Sequence, residues 1–309
     1  MNVTAAMVKE LREATGAGML DCKKALVECD GDMDKAVDFL REKGLAGAAK
    51  KAGRIAAEGI VKNLVSADGK KAVTVEVNAE SDFVAKNETF QNYVAEIAEQ
   101  LLNSDVADVD TFLTQPWALD PAMTVQEKLS SMISLIGENM HIRRFARMEV
   151  EEGFIASYIH MGGKIGVLIK VESDVINDEI KEMGQNVAMQ CAALKPMFCT
   201  RAEVDSDFIA KETEILTAAA KNEKPDANDK IIAGMVQGRI NKEMKEVVLV
   251  DQVYVRAEDG KQSVQKYIEE VAKKNNAKVK VSQFIRFEKG EGLQKREENF
   301  AEEVAKQMA

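Results

Sequence analysis

The chain has 309 residues, 46% apolar and 30% charged, with a formal net charge of -10. That length accommodates two or three domains and at least one sizeable core. The acidic balance argues against direct nucleic-acid binding as the main task, because affinity for phosphate backbones rests on clustered Lys and Arg. Lys50, Lys51 and Arg54 make only a short basic group, which a solvated helix face explains. No apolar run approaches the roughly 20 residues of a membrane span, and Met1 to Glu13 carries no signal or transit pattern. Cys22, Cys29, Cys191 and Cys199 have no C-x-x-C spacing, which suits a reducing compartment without disulfides. The expected location is the cytoplasm.

Three short helices open the chain. Met7, Val8 and Leu11 share a face in the first; Cys22, Leu26 and Cys29 line the second; Ala36, Val37 and Leu40 mark the third. Thr15-Gly16-Ala17-Gly18 and Asp30-Gly31-Asp32 break the pattern as turns, and Gly44 stands where a helix-ending glycine belongs. Ala46 to Glu58, rich in Ala, Gly and Lys, reads as a tether with helical leanings.

Strand patterning follows at Ile60–Val65 and Ala72–Val77, with Asp68-Gly69 between them as a hairpin signal. Phe90, Val94, Ile97 and Leu101 recur at helical spacing, residues 103–123 look irregular and acidic, and Val125, Leu129, Met132 and Ile136 make a further amphipathic helix. A second unit begins with strands at His141–Glu149, Phe154–His160 and Ile165–Glu172, the last two joined by Met161-Gly162-Gly163-Lys164. Ile180, Met183, Val187, Cys191 and Leu194 form a helix that Lys195-Pro196 stops, and Phe208, Ile215, Leu216 and Ala219 mark a returning one. The pair predicts an antiparallel helical arm. After Pro225 come a helix with Ile231, Ile232, Met235 and Val236, a strand at Val247–Val255, a helix at Ser263–Asn275, a strand at Lys278–Phe287, and a final helix with Phe300 and Val304 on one face.

Strands in hairpins rather than βαβ alternation define an α+β fold. The expected layout is a helical module at 1–54, one core unit at 55–140, and a second at 141–178 and 229–283. The second unit is interrupted by an arm at 179–228, and a C-terminal module at 284–309 closes the chain. The arm could join two copies of the chain, pack on its own core, or project freely.

Catalytic patterns are missing. His141 and His160 are the only histidines and suggest no tetrahedral metal site. There is no G-x-S-x-G elbow and no G-x-x-x-x-G-K-[ST] phosphate cradle. The sequence therefore predicts neither enzyme, cofactor nor metal.

Two segments carry a family resemblance. Leu11-Arg12-Glu13-Ala14-Thr15-Gly16-Ala17-Gly18-Met19-Leu20-Asp21-Cys22-Lys23-Lys24-Ala25-Leu26 resembles the N-terminal signature of the bacterial elongation factor Ts family. Glu76-Val77-Asn78-Ala79-Glu80-Ser81-Asp82-Phe83-Val84-Ala85-Lys86 resembles its second signature, with Ala79 where Cys or Ser is usual and Ser81 where Thr is usual. Further matches are Gly137-Glu138-Asn139, Ile142-Arg143-Arg144, His160 with the turn after it, and Phe284-Ile285-Arg286-Phe287 before Gly290-Glu291-Gly292. Ser206-Asp207-Phe208-Ile209-Ala210-Lys211 nearly repeats Ser81 to Lys86, but it opens a helix after a proline stop and reads as coincidence.

The resemblance implies a ubiquitin-associated-like helical module, a two-part α+β core with antiparallel strands, an inserted helical hairpin arm and a C-terminal helix. It implies a guanine nucleotide exchange factor that binds elongation factor Tu, GDP-bound and nucleotide-free, and disturbs its Mg²⁺ and phosphate site. Phe83 would be the wedge, with Asp82 beside it either disturbing Mg²⁺ or capping a helix. Arg12, Met19, Leu20 and Lys23 match positions that hold a partner helix; Ser81, Val84, His160, Met235 and Val236 match further contacts. Residue patterning by itself leaves open whether Phe83 or Val84 points outward, and whether Met19 and Leu20 are module core. The alternative reading, an adaptor working through its helical module alone, leaves Ser81-Asp82-Phe83 without a task.

Overall fold

The computed structural model describes residues 3–294. Helices α1 (Ala5–Thr15), α2 (Met19–Glu28) and α3 (Met33–Lys51) form the opening module. Thr4 caps α1 by accepting the Met7 N–H, and Asp32 caps α3 by accepting the Lys35 N–H, so short helices are defined at their starts. Val8, Leu11, Cys22, Ala25, Leu26 and Ala36 fill a small core between them.

The first sheet begins with the hairpin β1 (Glu58–Val65) and β2 (Lys71–Ala79). Its turn is held where Asp68 Oδ1 accepts the Lys70 N–H at 3.0 Å. The one-turn helix α4 (Asp82–Ala85) and the long helix α5 (Glu88–Leu102) follow. Residues 103–123 are more ordered than their composition predicts. They hold α6 (Val109–Leu113) and the small hairpin β3 (Pro116–Trp117) and β4 (Asp120–Thr124), because Phe112 and Trp117 are buried in the first core and fix the chain around them. After α7 (Val125–Ile136), strand β5 (Met140–Glu149) returns to pair antiparallel with β2, giving the order β1-β2-β5. The boundary expected at 140/141 is therefore wrong. β5 follows α7 directly but completes the first sheet, since β2 has a second edge to satisfy.

Helix α3 also departs from expectation. It runs seven residues past Gly44, which is buried mid-helix. There α3 crosses α7 closely: a Cβ on Gly47 would meet Ser134 Oγ at 3.3 Å, and one on Gly44 would meet it at 3.7 Å. Close helix approach, rather than helix termination, explains these glycines. Through α3 the opening module is fastened to the first core.

The second sheet contains β6 (Phe154–His160), β7 (Ile165–Ser173) and, after a long excursion, β8 (Val279–Glu288), in the order β6-β7-β8. β8 carries residues 284–288, so the C-terminal module expected from 284 begins inside this sheet. Helix α8 (Asp178–Leu194) buries Ile180, Met183, Val187 and Cys191 in the second core, together with residues of β6 and β7. It is thus core and not arm. The arm consists of α9 (Ser206–Glu223) and α10 (Asp229–Val247), packed together through Ala220, Ile232, Val236, Ile240 and Met244. Helical periodicity identifies a buried stripe but not the element that buries it.

No strand spans 247–255. Helix α10 reaches Val247, a 3₁₀ turn covers Leu249–Asp251, and Val253 makes only a bridge to Ser263. The consecutive buried residues Val248, Leu249 and Val250 show no period that distinguishes a strand from a helix end. Helix α11 (Val264–Lys274) then covers the second sheet beside α8. The final helix expected with Phe300 and Val304 lies outside the described residues.

The layers run helix, sheet, sheet, helix. α5 and α7 cover one face of the first sheet, α8 and α11 cover one face of the second, and the remaining two sheet faces meet. Between the sheets Ala72, Met148, Val150, Ile155 and Leu168 form an apolar cluster, with Val65 and Ile285 partly buried against it. Polar contacts join them there. Asn63 Nδ2 donates to the Val167 carbonyl at 2.9 Å and to Ser157 Oγ at 3.1 Å. Glu76 of β2 is completely buried; Arg143 Nη1 donates to its Oε1 at 2.9 Å and Arg144 Nε to its Oε2 at 2.7 Å. The Gly290 N–H also donates to Glu76 Oε1, at 2.7 Å. Gly290 has φ +67°, and a Cβ there would stand 2.3 Å from the Ala57 carbonyl oxygen, so only glycine fits this closing turn.

Removing one partner from a buried ion-pair network leaves the others uncompensated. Glu76→Ala is expected to lower unfolding stability by roughly 3–5 kcal/mol, read as a shift in the denaturant midpoint.

Candidate partner-binding corner

Strand β2 ends at Ala79, and Ser81 turns the chain into α4. The Val84 N–H donates to Ser81 Oγ at 3.4 Å, the side-chain cap expected from a serine at this place. Asn87 then caps α5, accepting the Thr89 N–H at 2.8 Å. Two caps within six residues hold a single helical turn that could not persist alone.

This turn determines which side chain faces out. Val84 is only 7% exposed and lies in the first core, whereas Phe83 is 80% exposed. The question left open by patterning is answered with Phe83 outward. Val84, a candidate contact on the sequence, is a core residue: it and Ala85 are the inward positions of the turn and join the first core with Phe90 and Ile60.

Charge surrounds the ring. Lys86 Nζ lies 2.7 Å from Asp82 Oδ2 and 6.0 Å from the Phe83 ring centroid. The hydrogen bond from Lys86 holds the Asp82 carboxyl below its ordinary range, and the charges of Lys86 and Lys289 act in the same direction. Because the folded value is lowered, the contribution of this pair is present above the ordinary Asp range and is lost as pH falls through the folded value.

Two carboxylates tie the corner from behind. Glu138 accepts the Ser81 N–H at 3.0 Å on Oε2 and the Ser81 hydroxyl at 2.6 Å on Oε1. In the reverse direction, Glu80 Oε1 accepts the Asn139 N–H at 2.6 Å. Asn139 Nδ2 in turn donates to the Arg54 carbonyl at 2.8 Å, in the segment that leaves α3. Sequence reasoning does not find Glu80 or this role of Glu138. The partners are nearly 60 positions apart, and the one visible trace is that Gly137-Glu138-Asn139 falls within the family resemblance.

The remaining candidates separate into three places. On the opening module Leu20 is 82% and Met19 51% exposed, so neither is module core. Arg12 and Lys23 are exposed beside them and have no ion-pair partner among the described residues. His160 ends β6, its Nδ1 2.9 Å from the Tyr158 hydroxyl. The turn after it presses on β1, where the Val61 N–H donates to the Gly163 carbonyl at 2.7 Å. The Lys164 carbonyl accepts the Lys289 N–H at 2.9 Å, and Lys289 also pairs with Glu58 at the start of β1. The His160 turn and the Asp82–Phe83 corner therefore gather at one end of β1.

Met235 and Val236 do not join them. They lie on α10, where Val236 is 5% exposed inside the arm and Met235 is half-buried against it. Val236 is thus packing rather than surface. The near-repeat at Ser206–Lys211 also differs in kind: Phe208 packs edge-on against Phe198 at 5.3 Å between ring centroids, whereas among the described residues no aromatic ring packs against Phe83. Among the described residues no group of three or more His, Cys, Asp or Glu could hold a metal ion, and no helix is long and apolar enough to cross a membrane.

A family model described as elongation factor TS matches residues 80–291, from the corner to the closing turn. A protein of Clostridium novyi (strain NT) named elongation factor Ts is 51% identical over 307 residues, covering 99% of both chains. Its namesake in Clostridium perfringens (strain SM101 / Type A) is 52% identical over 305 residues, with 98% of both covered. Another, from Clostridioides difficile (strain 630), is 51% identical over 307 residues and again covers 99% of both. An α+β fold with this corner and these relatives defines the class, a translation elongation factor. Within that class the chain belongs to the elongation factor Ts family.

Removal of the neighbouring ammonium should be visible at the corner. In the Lys86→Ala variant the Asp82 carboxyl is expected to titrate closer to its ordinary range than in the parent, as followed by carbonyl chemical shift in an NMR pH titration.

Proposed function

We propose that this chain is the guanine nucleotide exchange factor for elongation factor Tu, acting by protein contact and without covalent chemistry in the cytoplasm. The observation that carries this reading is the Phe83 ring, 80% exposed on a doubly capped corner that holds it away from its own core. An aromatic ring left in water has its burial energy still available to a complex, roughly 1.5–3 kcal/mol for Phe.

An exchange factor speeds GDP release by binding the nucleotide-free partner more tightly than the GDP form. By linkage, GDP must weaken the factor's binding by the same ratio. A 10⁴-fold shift requires about 5.5 kcal/mol of differential binding. Phe83 therefore supplies a large share, and other contacts supply the remainder. In this reading Phe83 enters between partner helices next to the Mg²⁺ and phosphate end. Asp82, ionised and exposed, brings negative charge to the same place. Arg12, Met19, Leu20 and Lys23 hold a partner helix against the opening module, and His160, at the same end of β1 as the corner, reaches a second partner domain. Met235 offers a contact along the arm.

The test is release of fluorescent GDP from loaded elongation factor Tu. The parent chain is expected to accelerate release strongly, and Phe83→Ala to reduce that acceleration by about ten- to a hundredfold with an unchanged circular dichroism spectrum. Full activity of Phe83→Ala would rule out the wedge. Calorimetry supplies the thermodynamic counterpart: the chain is expected to bind nucleotide-free elongation factor Tu far more tightly than the GDP complex.

A further inference from the structure

We propose that Glu138 is a positioning residue for the Phe83 ring. This inference rests on the reading of Phe83 as the discriminating contact. Both oxygens of the Glu138 carboxylate are used on one residue, Ser81, two positions before the ring: one takes its N–H at 3.0 Å and the other its hydroxyl proton at 2.6 Å. The hydroxyl has one hydrogen to give. Donating it to Glu138 leaves its lone pairs for the Val84 N–H at 3.4 Å, the bond that caps α4. The carboxylate thus orients the cap, and the cap orients the turn from which Phe83 projects. Hydrogen bonds to an ionised acceptor are about twice as strong as neutral ones, which suits a turn too short to hold itself.

A second pair braces the same place. Glu80 Oε1 takes the Asn139 N–H at 2.6 Å, so residues 80–81 and 138–139 grip each other through two carboxylates pointing in opposite directions. Asn139 also holds the Arg54 carbonyl at 2.8 Å. The loop after α7 therefore fixes both the corner and the exit from the opening module, where the other proposed contacts sit. Glu138 itself is half-buried behind the corner, and both of its oxygens are occupied by Ser81. Its effect on exchange must pass through the geometry of the ring, because a ring free to swing loses orientational freedom on entering the partner.

The test is a double-mutant cycle in the assay of GDP release from elongation factor Tu, with Glu138→Ala and Glu138→Gln made in the parent and in the Phe83→Ala background. Glu138→Ala is expected to lower the maximal release rate about tenfold in the parent, with the half-saturating concentration changed less than about twofold. In the Phe83→Ala background it is expected to have no further effect. Glu138→Gln, which keeps one acceptor oxygen, should fall between parent and Glu138→Ala. Ser81→Ala removes the hydroxyl relay alone and gives a smaller loss of the same kind; it decides the matter if Glu138→Ala unfolds below the assay temperature. A Glu138→Ala rate equal to the parent, or the same fold-loss in both backgrounds while Phe83→Ala remains slow, overturns the positioning role and leaves the wedge intact. A fully active Phe83→Ala overturns the wedge, and the positioning role with it.

Discussion

A carboxylate sealed between two sheets constrains most of this molecule. Glu76 has no access to water, and a charge so placed is tolerable only with its partners in position. Those partners are Arg143 and Arg144 on β5 and the backbone N–H of Gly290 after β8. The first two lock β5 onto β2 beyond what the strand ladder does. The third brings the end of the second sheet onto the first. Arg144 also stacks on Phe287 of β8, 4.2 Å from the ring centroid, and Glu291 closes the group through Lys195 at 2.7 Å. Together with the apolar cluster around Leu168, this polar seam and Asn63 fix how the two halves meet.

Placement of the proposed contacts follows from that seam. Once Gly290 is pressed on Ala57, Lys289 falls beside Glu58 and near Asp82, and Lys164 is drawn in by the Lys289 N–H. The corner of the first sheet and the β6–β7 turn of the second are then neighbours along β1. From the other side, α7 receives α3 at Gly44 and Gly47 and ends in the loop that grips Ser81. Corner, turn and opening module are thus carried on one connected frame.

Much of the local structure was legible because it depends on near neighbours. The Asp68-Gly69 hairpin, the stop at Lys195-Pro196, the turn at Asp30-Gly31-Asp32 and the α5 stripe of Phe90, Val94, Ile97 and Leu101 all arise within a few residues and form as read. The misreadings share one origin. Local pattern groups β5 with the strands that follow it, α8 with the arm, Gly44 with helix ends, and Val247–Val255 with strands. Each is a case where burial was evident and the burying partner was not.

The sequence by itself determined the α+β class, the longer helices and strands, the family resemblance, and Asp82–Phe83 as the residues to examine, since turns, caps and apolar periods are local properties of the chain. Only the tertiary structure decided that Phe83 faces water while Val84 and Val236 face cores, that α9 and α10 form the arm, and that Glu138 holds Ser81. Those outcomes depend on contacts between segments tens to hundreds of residues apart, and no short-range pattern encodes which buried face will meet which.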